Sequence, residues 1–169
     1  MLTASAAFLV IHVAISAIAI VSGLVALWGM IGNDRMNAWT VIFLIFTAAT
    51  SLTGFAFPIH GPTPALTLGA ISLAALAIAA SARYAFGLNG GWRVAYVVSA
   101  AAALYFNVFV LVVQIFLKLP AAHALAPHGS EPPFAIAQGL TLLFFLVTGF
   151  LATRRFRPVQ SAGASASSA

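Results

Sequence analysis

Five stretches of this chain, 7–30, 38–57, 65–86, 91–117 and 134–153, are almost wholly apolar and each about as long as a bilayer is thick. A hydrocarbon core of roughly 30 Å takes about 20 helical residues at 1.5 Å rise each. Inside lipid every backbone N–H and C=O needs a partner within the protein, and a helix supplies one to each locally. The pattern therefore predicts an all-α fold, an integral membrane bundle of five transmembrane helices over residues 1–158. Composition agrees: 63% of residues are hydrophobic and only 5% charged. A soluble domain carries about 25% charged residues. The Ser/Ala-rich stretch 159–169 has nothing to pack and is expected to be a disordered cytoplasmic tail. The first apolar run is too long for a signal-peptide core and no basic segment precedes it, so it is expected to stay as a membrane helix.

The few charges orient the bundle. With five crossings the termini lie on opposite sides. Arg35, Arg83, Arg93, Arg154, Arg155 and Arg157 fall on one side and Lys118 on the other. Basic residues near helix ends stay in the cytoplasm, which predicts an outer N-terminus and an inner C-terminus in a bacterial inner (plasma) membrane. Trp28, Trp39 and Trp92 fall at the same cytoplasmic helix ends, where amphipathic rings favour the interface. On this reading the arginines are topology signals and anchors for anionic lipid.

Several functions are disfavoured by what is missing. The net charge of +5 does not indicate nucleic acid, because the basic residues form no patch with interleaved aromatics. The absence of cysteine removes disulfides, thiolate metal sites and cysteine nucleophiles. The two acids, Asp34 and Glu131, lie on opposite sides, so no carboxylate pair forms. No predicted helix carries the buried acid that proton-driven transport uses, and no internal repeat suggests a transporter.

What remains is a set of polar groups in the outer half. His12 lies just over a turn inside the first helix. His60 follows the second. His123, His128 and Glu131 belong to the long outer segment 118–133, whose four prolines forbid a continuous helix. Asn107, Gln114 and Lys118, spaced by seven and four residues, share one face of the fourth helix, and that face is expected to point inward, toward His12. Gln138 lies about one turn into the last helix. His12 also shares a face with Ser16, Ala19, Gly23 and Ala26, and Thr47, Ser51 and Gly54 form a matching stripe on the second helix. Small residues let membrane helices approach closely, so both stripes read as packing faces.

These residues admit three readings. The leading one is a small multi-pass membrane protein, without catalytic residues, that binds a ligand or partner in its outer half. His12, His60, His123 and His128 are its candidate cofactor ligands, and Asn107, Gln114, Gln138 and Glu131 its candidate ligand-binding groups. An intramembrane ionisable residue such as His12 is a functional candidate by default. The second reading is a redox protein in which neutral imidazoles hold haem b or a metal, with His12 and His60 in one site closed over by the segment 118–133. The third is a quinone- or lipid-binding enzyme or subunit, its pocket lined by Phe55, Phe57, Tyr105, Phe106 and Phe109. The lipid bilayer is the expected partner, with another membrane subunit or a second copy of the chain beside it. Each polar group also has a plain structural use: membrane amides commonly bond neighbouring helices at roughly 0.6 kcal/mol each, and the loop histidines can be solvated.

The run Thr53-Gly54-Phe55-Ala56-Phe57-Pro58-Ile59-His60-Gly61-Pro62-Thr63-Pro64 resembles a segment of a family of small proteobacterial multi-pass inner-membrane proteins. Arg83-Tyr84, Trp92-Arg93, Ala103-Leu104-Tyr105-Phe106-Asn107-Val108-Phe109-Val110 and Ser130-Glu131-Pro132-Pro133-Phe134 resemble the same family, so the likeness spans most of residues 53–158. It implies a bacterial inner-membrane protein and brings no activity or cofactor with it.

Overall fold

The computed structural model describes residues 4–57 and 64–157. His60 and the tail at 159–169 lie outside the described residues. Among those described, all regular structure is helical. The helices are α1 (Ala4–Ile31), α2 (Asn37–Phe55), α3 (Pro64–Ala80), α4 (Trp92–Lys118), α5 (Pro120–Leu125) and α6 (Pro132–Arg155). All but α5 are long and apolar enough to cross a membrane, α3 together with the helical turn that continues it to Ala85.

Local sequence sets the helix ends. Pro132 and Pro133 open α6, where the missing N–H groups would have had no helical partner. Pro120 opens α5 in the same way. The segment 118–133 is therefore broken, as its prolines require, but it gains one short helix between the breaks. α3 runs on through a π-helical turn, Ser81–Ala85, and then stops. There Gly87 and Leu88 take positive φ of 58° and 63°, and Leu88 N–H reaches back to the Ala82 carbonyl at 2.9 Å. That reversal returns the spare helix-end N–H to the backbone and buries the Leu88 side chain.

The long helices form a ring in chain order: α1 against α2, α2 against α3, α3 against α4, α4 against α6, and α6 back against α1. α4 also packs on α1 across the middle. The expected stripes do the packing. Ala19, Gly23 and Ala26 of α1 are buried, as are Thr47 and Ser51 of α2, while Ser16 and Gly54 are half-buried and Ser22, outside the expected stripe, is buried beside them. Helical hydroxyls mostly return to their own backbone: Ser22 to Ile18 O, Ser99 to Ala95 O and Thr148 to Phe144 O. That is how a hydroxyl is satisfied without water.

Burial is strongly one-sided. One end of the ring carries Arg35, Arg83, Arg93, Arg154, Arg155 and Arg157 and is called the arginine end. The opposite end carries His123 and His128 and is called the histidine end. In α1 no described side chain before Ala19 is buried, and in α6 none before Phe145. In α4 the buried residues run from Tyr96 to Leu104, and none of 105–118 is buried. The bundle is closed at the arginine end and open at the histidine end. The residue sizes explain the tight half: alanines and Gly23 meet Phe43, Leu104 and Tyr96 there, so backbones approach and large rings fill the gaps.

The arginine end is also held by hydrogen bonds. Arg83, in the π-helical turn, donates to the Tyr96 hydroxyl at 3.2 Å, to the Arg35 carbonyl at 3.1 Å and to Asn37 Oδ1. Its guanidinium lies 5.3 Å from the Tyr96 ring centre. Arg93 donates to the carbonyls of Thr153 and Phe156, both at 2.7 Å, and so caps the C-terminal end of α6. A cation there meets both orphan carbonyls and the negative end of the helix dipole. These two arginines are structural ties, a use that the reading as topology signals did not include.

Candidate functional site

His12 sits in the open half, about eight residues or roughly 12 Å along α1 from its described start. Its Nδ1 is 2.7 Å from Thr53 Oγ1 of α2. Thr53 Oγ1 is in turn 2.7 Å from the Ala49 carbonyl oxygen. Two oxygens this close need a proton between them, and a carbonyl has none to give. The threonine proton is therefore committed to Ala49, and Nδ1 must carry the hydrogen that it donates to Thr53. In the neutral imidazole this assigns the tautomer from the bond network and leaves Nε2 with a lone pair. Phe57 meets the ring edge-on, with centroids 5.1 Å apart, and itself contacts Phe8. Gly54 leaves room beside the ring: even a Cβ built there would be 3.9 Å from His12 Cε1.

Asn107 is half-buried and donates to Thr47 of α2 at 3.1 Å, which ties α4 to α2 in mid-bundle. Gln114 corrects the expectation that the whole face turns inward. It is exposed, and Leu111 between the two amides is 42% exposed. The face is covered at Asn107, where α2 is still within reach. It opens farther out, because α4 continues beyond the closed part of the ring.

Gln138, on α6, donates through Nε2 to the Phe109 carbonyl at 3.2 Å. Its Oε1 is buried and without a hydrogen bond among the described residues. Thr50 and Ser72 hold buried hydroxyls in the same condition. A hydroxyl can rotate toward the carbonyl four residues back. An amide oxygen has no such remedy and needs an external donor.

α5 lies against α4. His123 is exposed and places Nδ1 at 3.2 Å from the Phe116 carbonyl, and the His128 side chain is exposed. Glu131 serves its own turn: Oε1 and Oε2 accept the N–H groups of His128 and Ser130, each at 3.0 Å. Desolvation is the largest single influence and raises the pKa of this carboxyl, but the backbone N–H groups of His128, Glu131 and Ser130, with the neighbouring His128 side chain, together outweigh it, so the pKa sits below the ordinary 4.5. A depressed folded pKa contributes stability that is present above the unfolded value and lost as pH falls through the folded one. Amide protection at His128 and Ser130 should therefore hold at neutral pH and fall away below about pH 4.5, and Glu131→Gln should abolish that acid step; hydrogen exchange followed from pH 3 to 7 checks both.

Among the described residues no three His, Asp or Glu side chains gather. No known family, characterised protein or solved structure matches this chain. The site therefore rests on its own chemistry. For haem b, His12 Nε2 is a competent axial donor with its other nitrogen anchored on Thr53; His60, the second ligand expected for it, lies outside the described residues. The aromatics divide into two groups: Phe8 and Phe57 around His12, and Tyr105 in ring contact with Phe106, Phe109 and Phe145 at the α4–α6 seam.

Proposed function

We propose that this chain is a multi-pass protein of a bacterial inner membrane that binds a lipophilic, hydroxyl-bearing small molecule in the open half of its bundle. Its arginine end faces the cytoplasm and its N-terminus lies outside, which six arginines against one lysine support. The observation that carries the binding reading is the committed tautomer of His12. Its free Nε2 is an acceptor, and so is the unsatisfied Gln138 Oε1. Gln138 stands about six residues, or roughly 9 Å, into α6, a neighbour of α1 that runs in the same direction, so both acceptors belong to the open half. Two acceptors select a donor such as a quinol or lipid hydroxyl, and the exposed apolar walls of the open half suit its hydrocarbon part.

Binding is favoured over catalysis because both acids are engaged by backbone N–H groups at opposite ends of the bundle: Asp34 by Met36, Glu131 by His128 and Ser130. The test is mass spectrometry of small molecules that co-purify with the full chain in mild detergent. His12→Phe keeps an aromatic of similar size and removes the acceptor. It should reduce the bound molecule at least about tenfold, the loss of one good hydrogen bond to a buried group, with unchanged helical circular dichroism. Equal retention by wild type and H12F would reject the site. A Soret band in the purified protein would replace this reading with the haem one. A cytoplasm-only reporter fused after Ala169 should be active, and silence there would reverse the orientation.

A further inference from the structure

A second, separate feature lies at the arginine end. α1 and α6 leave a groove of 330 Å³ between them, lined by Leu24, Trp28 and Ile31 of α1, Met36 of the following loop, and Phe144 and Thr148 of α6. Its wall is almost purely apolar, because the Thr148 hydroxyl is turned to its own backbone. Membrane helices pack through small residues. This lining is large and branched or aromatic, so it suits a flexible chain better than another helix.

The mouth of the groove is cationic. Arg155 lies eleven residues from Phe144 and seven from Thr148, within about 20° of the same helical face, so the stripe that walls the groove ends on a guanidinium roughly 10 Å farther along α6. Arg157 is brought beside the α1–α2 loop by its N–H, which donates to Asn33 Oδ1 at 2.6 Å. Arg35 adjoins Met36 of the lining. The side chains of Arg35, Arg155 and Arg157 have no partner among the described residues, and Arg154 lies over the Phe150 ring at 5.1 Å. Asp34 is the one side-chain carboxylate at this end, and it accepts the Met36 N–H. The stretch 158–169 contains no Asp or Glu. Apart from Asp34, no Asp or Glu is available at this end to neutralise these arginines.

We propose that this groove is a site for one anionic phospholipid, with an acyl chain between α1 and α6 and the headgroup phosphate held by Arg155 and Arg157, assisted by Arg35. Guanidinium forks match phosphate oxygens bidentately, and the groove supplies the apolar half of the recognition. The site lies at the opposite end of the bundle from His12 and stands independently of the ligand proposed there.

Delipidated protein in mild detergent would be offered phosphatidylglycerol, phosphatidylcholine or inorganic phosphate, and read by native mass spectrometry and thermal unfolding. Phosphatidylglycerol should be retained at one per chain and raise the melting temperature. Phosphatidylcholine and inorganic phosphate should do neither. The double variant R155Q/R157Q changes two exposed side chains without partners, so it should fold normally and weaken phosphatidylglycerol at least tenfold. Leu24→Trp, from a partly exposed wall position, should block the groove while leaving every arginine in place. Equal retention of the two lipids, unaltered binding by R155Q/R157Q or by L24W, or a second copy of the chain displaced by L24W would each overturn the assignment.

Discussion

Replacing Gly23 by leucine should be among the most disruptive single substitutions in this bundle, with an expected loss of about 3 kcal/mol, the upper end of overpacking penalties. A single Cβ at Gly23 would come within 2.5 Å of Leu104 Cδ1, 2.7 Å of Phe43 Cδ2 and 2.9 Å of Phe43 Cε2. Those neighbours cannot retreat: Leu104 is 1% and Phe43 2% exposed, in the tightest layer of the molecule. An alanine there would regain up to about 1 kcal/mol of helix propensity, but a leucine adds three further carbons to a space already filled. The contrast is Ala17→Leu, on an exposed part of α1, which should be close to neutral. Thermal unfolding in one detergent should place G23L well below wild type and A17L beside it. Equal stability of all three would mean that α1, α2 and α4 do not meet at Gly23.

Arg83→Ala should cost about 2 kcal/mol, since it removes charge-assisted hydrogen bonds worth about 1.5–3 kcal/mol each when buried and much less when exposed. Of its three acceptors, the Tyr96 hydroxyl is the buried one, on a side chain that is 1% exposed. Without Arg83 that hydroxyl keeps only Thr40 at 3.4 Å, a long contact. The Arg35 carbonyl and Asn37 bonds are exposed and add little on their own, but they fix the start of α2 against the end of α3. Arg83→Lys should recover less than half of the loss, because the donors of an ammonium all sit on one nitrogen and cannot span the separate acceptors that the guanidinium reaches through two. Tyr96→Phe provides the decisive cross: if the pair acts as one unit, R83A/Y96F should cost clearly less than the two single changes added together. Strict additivity would show that the Arg83–Tyr96 contact carries no coupling.

Both predictions concern the arginine end, and the division of labour has a physical basis. The half that is closed supplies stability through close packing and a few hydrogen bonds that span α2, α3 and α4. Polar links in the half that is open include His12–Thr53, Asn107–Thr47 and Gln138–Phe109, each tying one helix to another without filling the space between them. A binding site needs such a region, since a fully packed layer has no room for a ligand.

How much of this was readable from residues alone follows from which forces act locally. The five long apolar helices were legible, because a bilayer imposes length and apolarity on each segment separately; Trp92–Lys118 and Pro132–Arg155 differ from the apolar runs by one or two residues at each end. The packing faces were legible too. His12, Ser16, Ala19, Gly23 and Ala26 recur at helical spacing, and spacing depends on the backbone alone. Tilt was not legible. Periodicity says which residues share a face, but not how far along the helix a neighbour stays in reach, and so Asn107 meets Thr47 while Gln114, on the same face, is exposed. Nor was the work of Arg83 and Arg93 legible. As charges they read like any other basic residue, whereas their bonds join groups as far apart in sequence as Arg93 and Phe156. Partnerships of that kind exist only once the helices have assembled, when a carbonyl left unpaired at one helix end comes within reach of a donor on another.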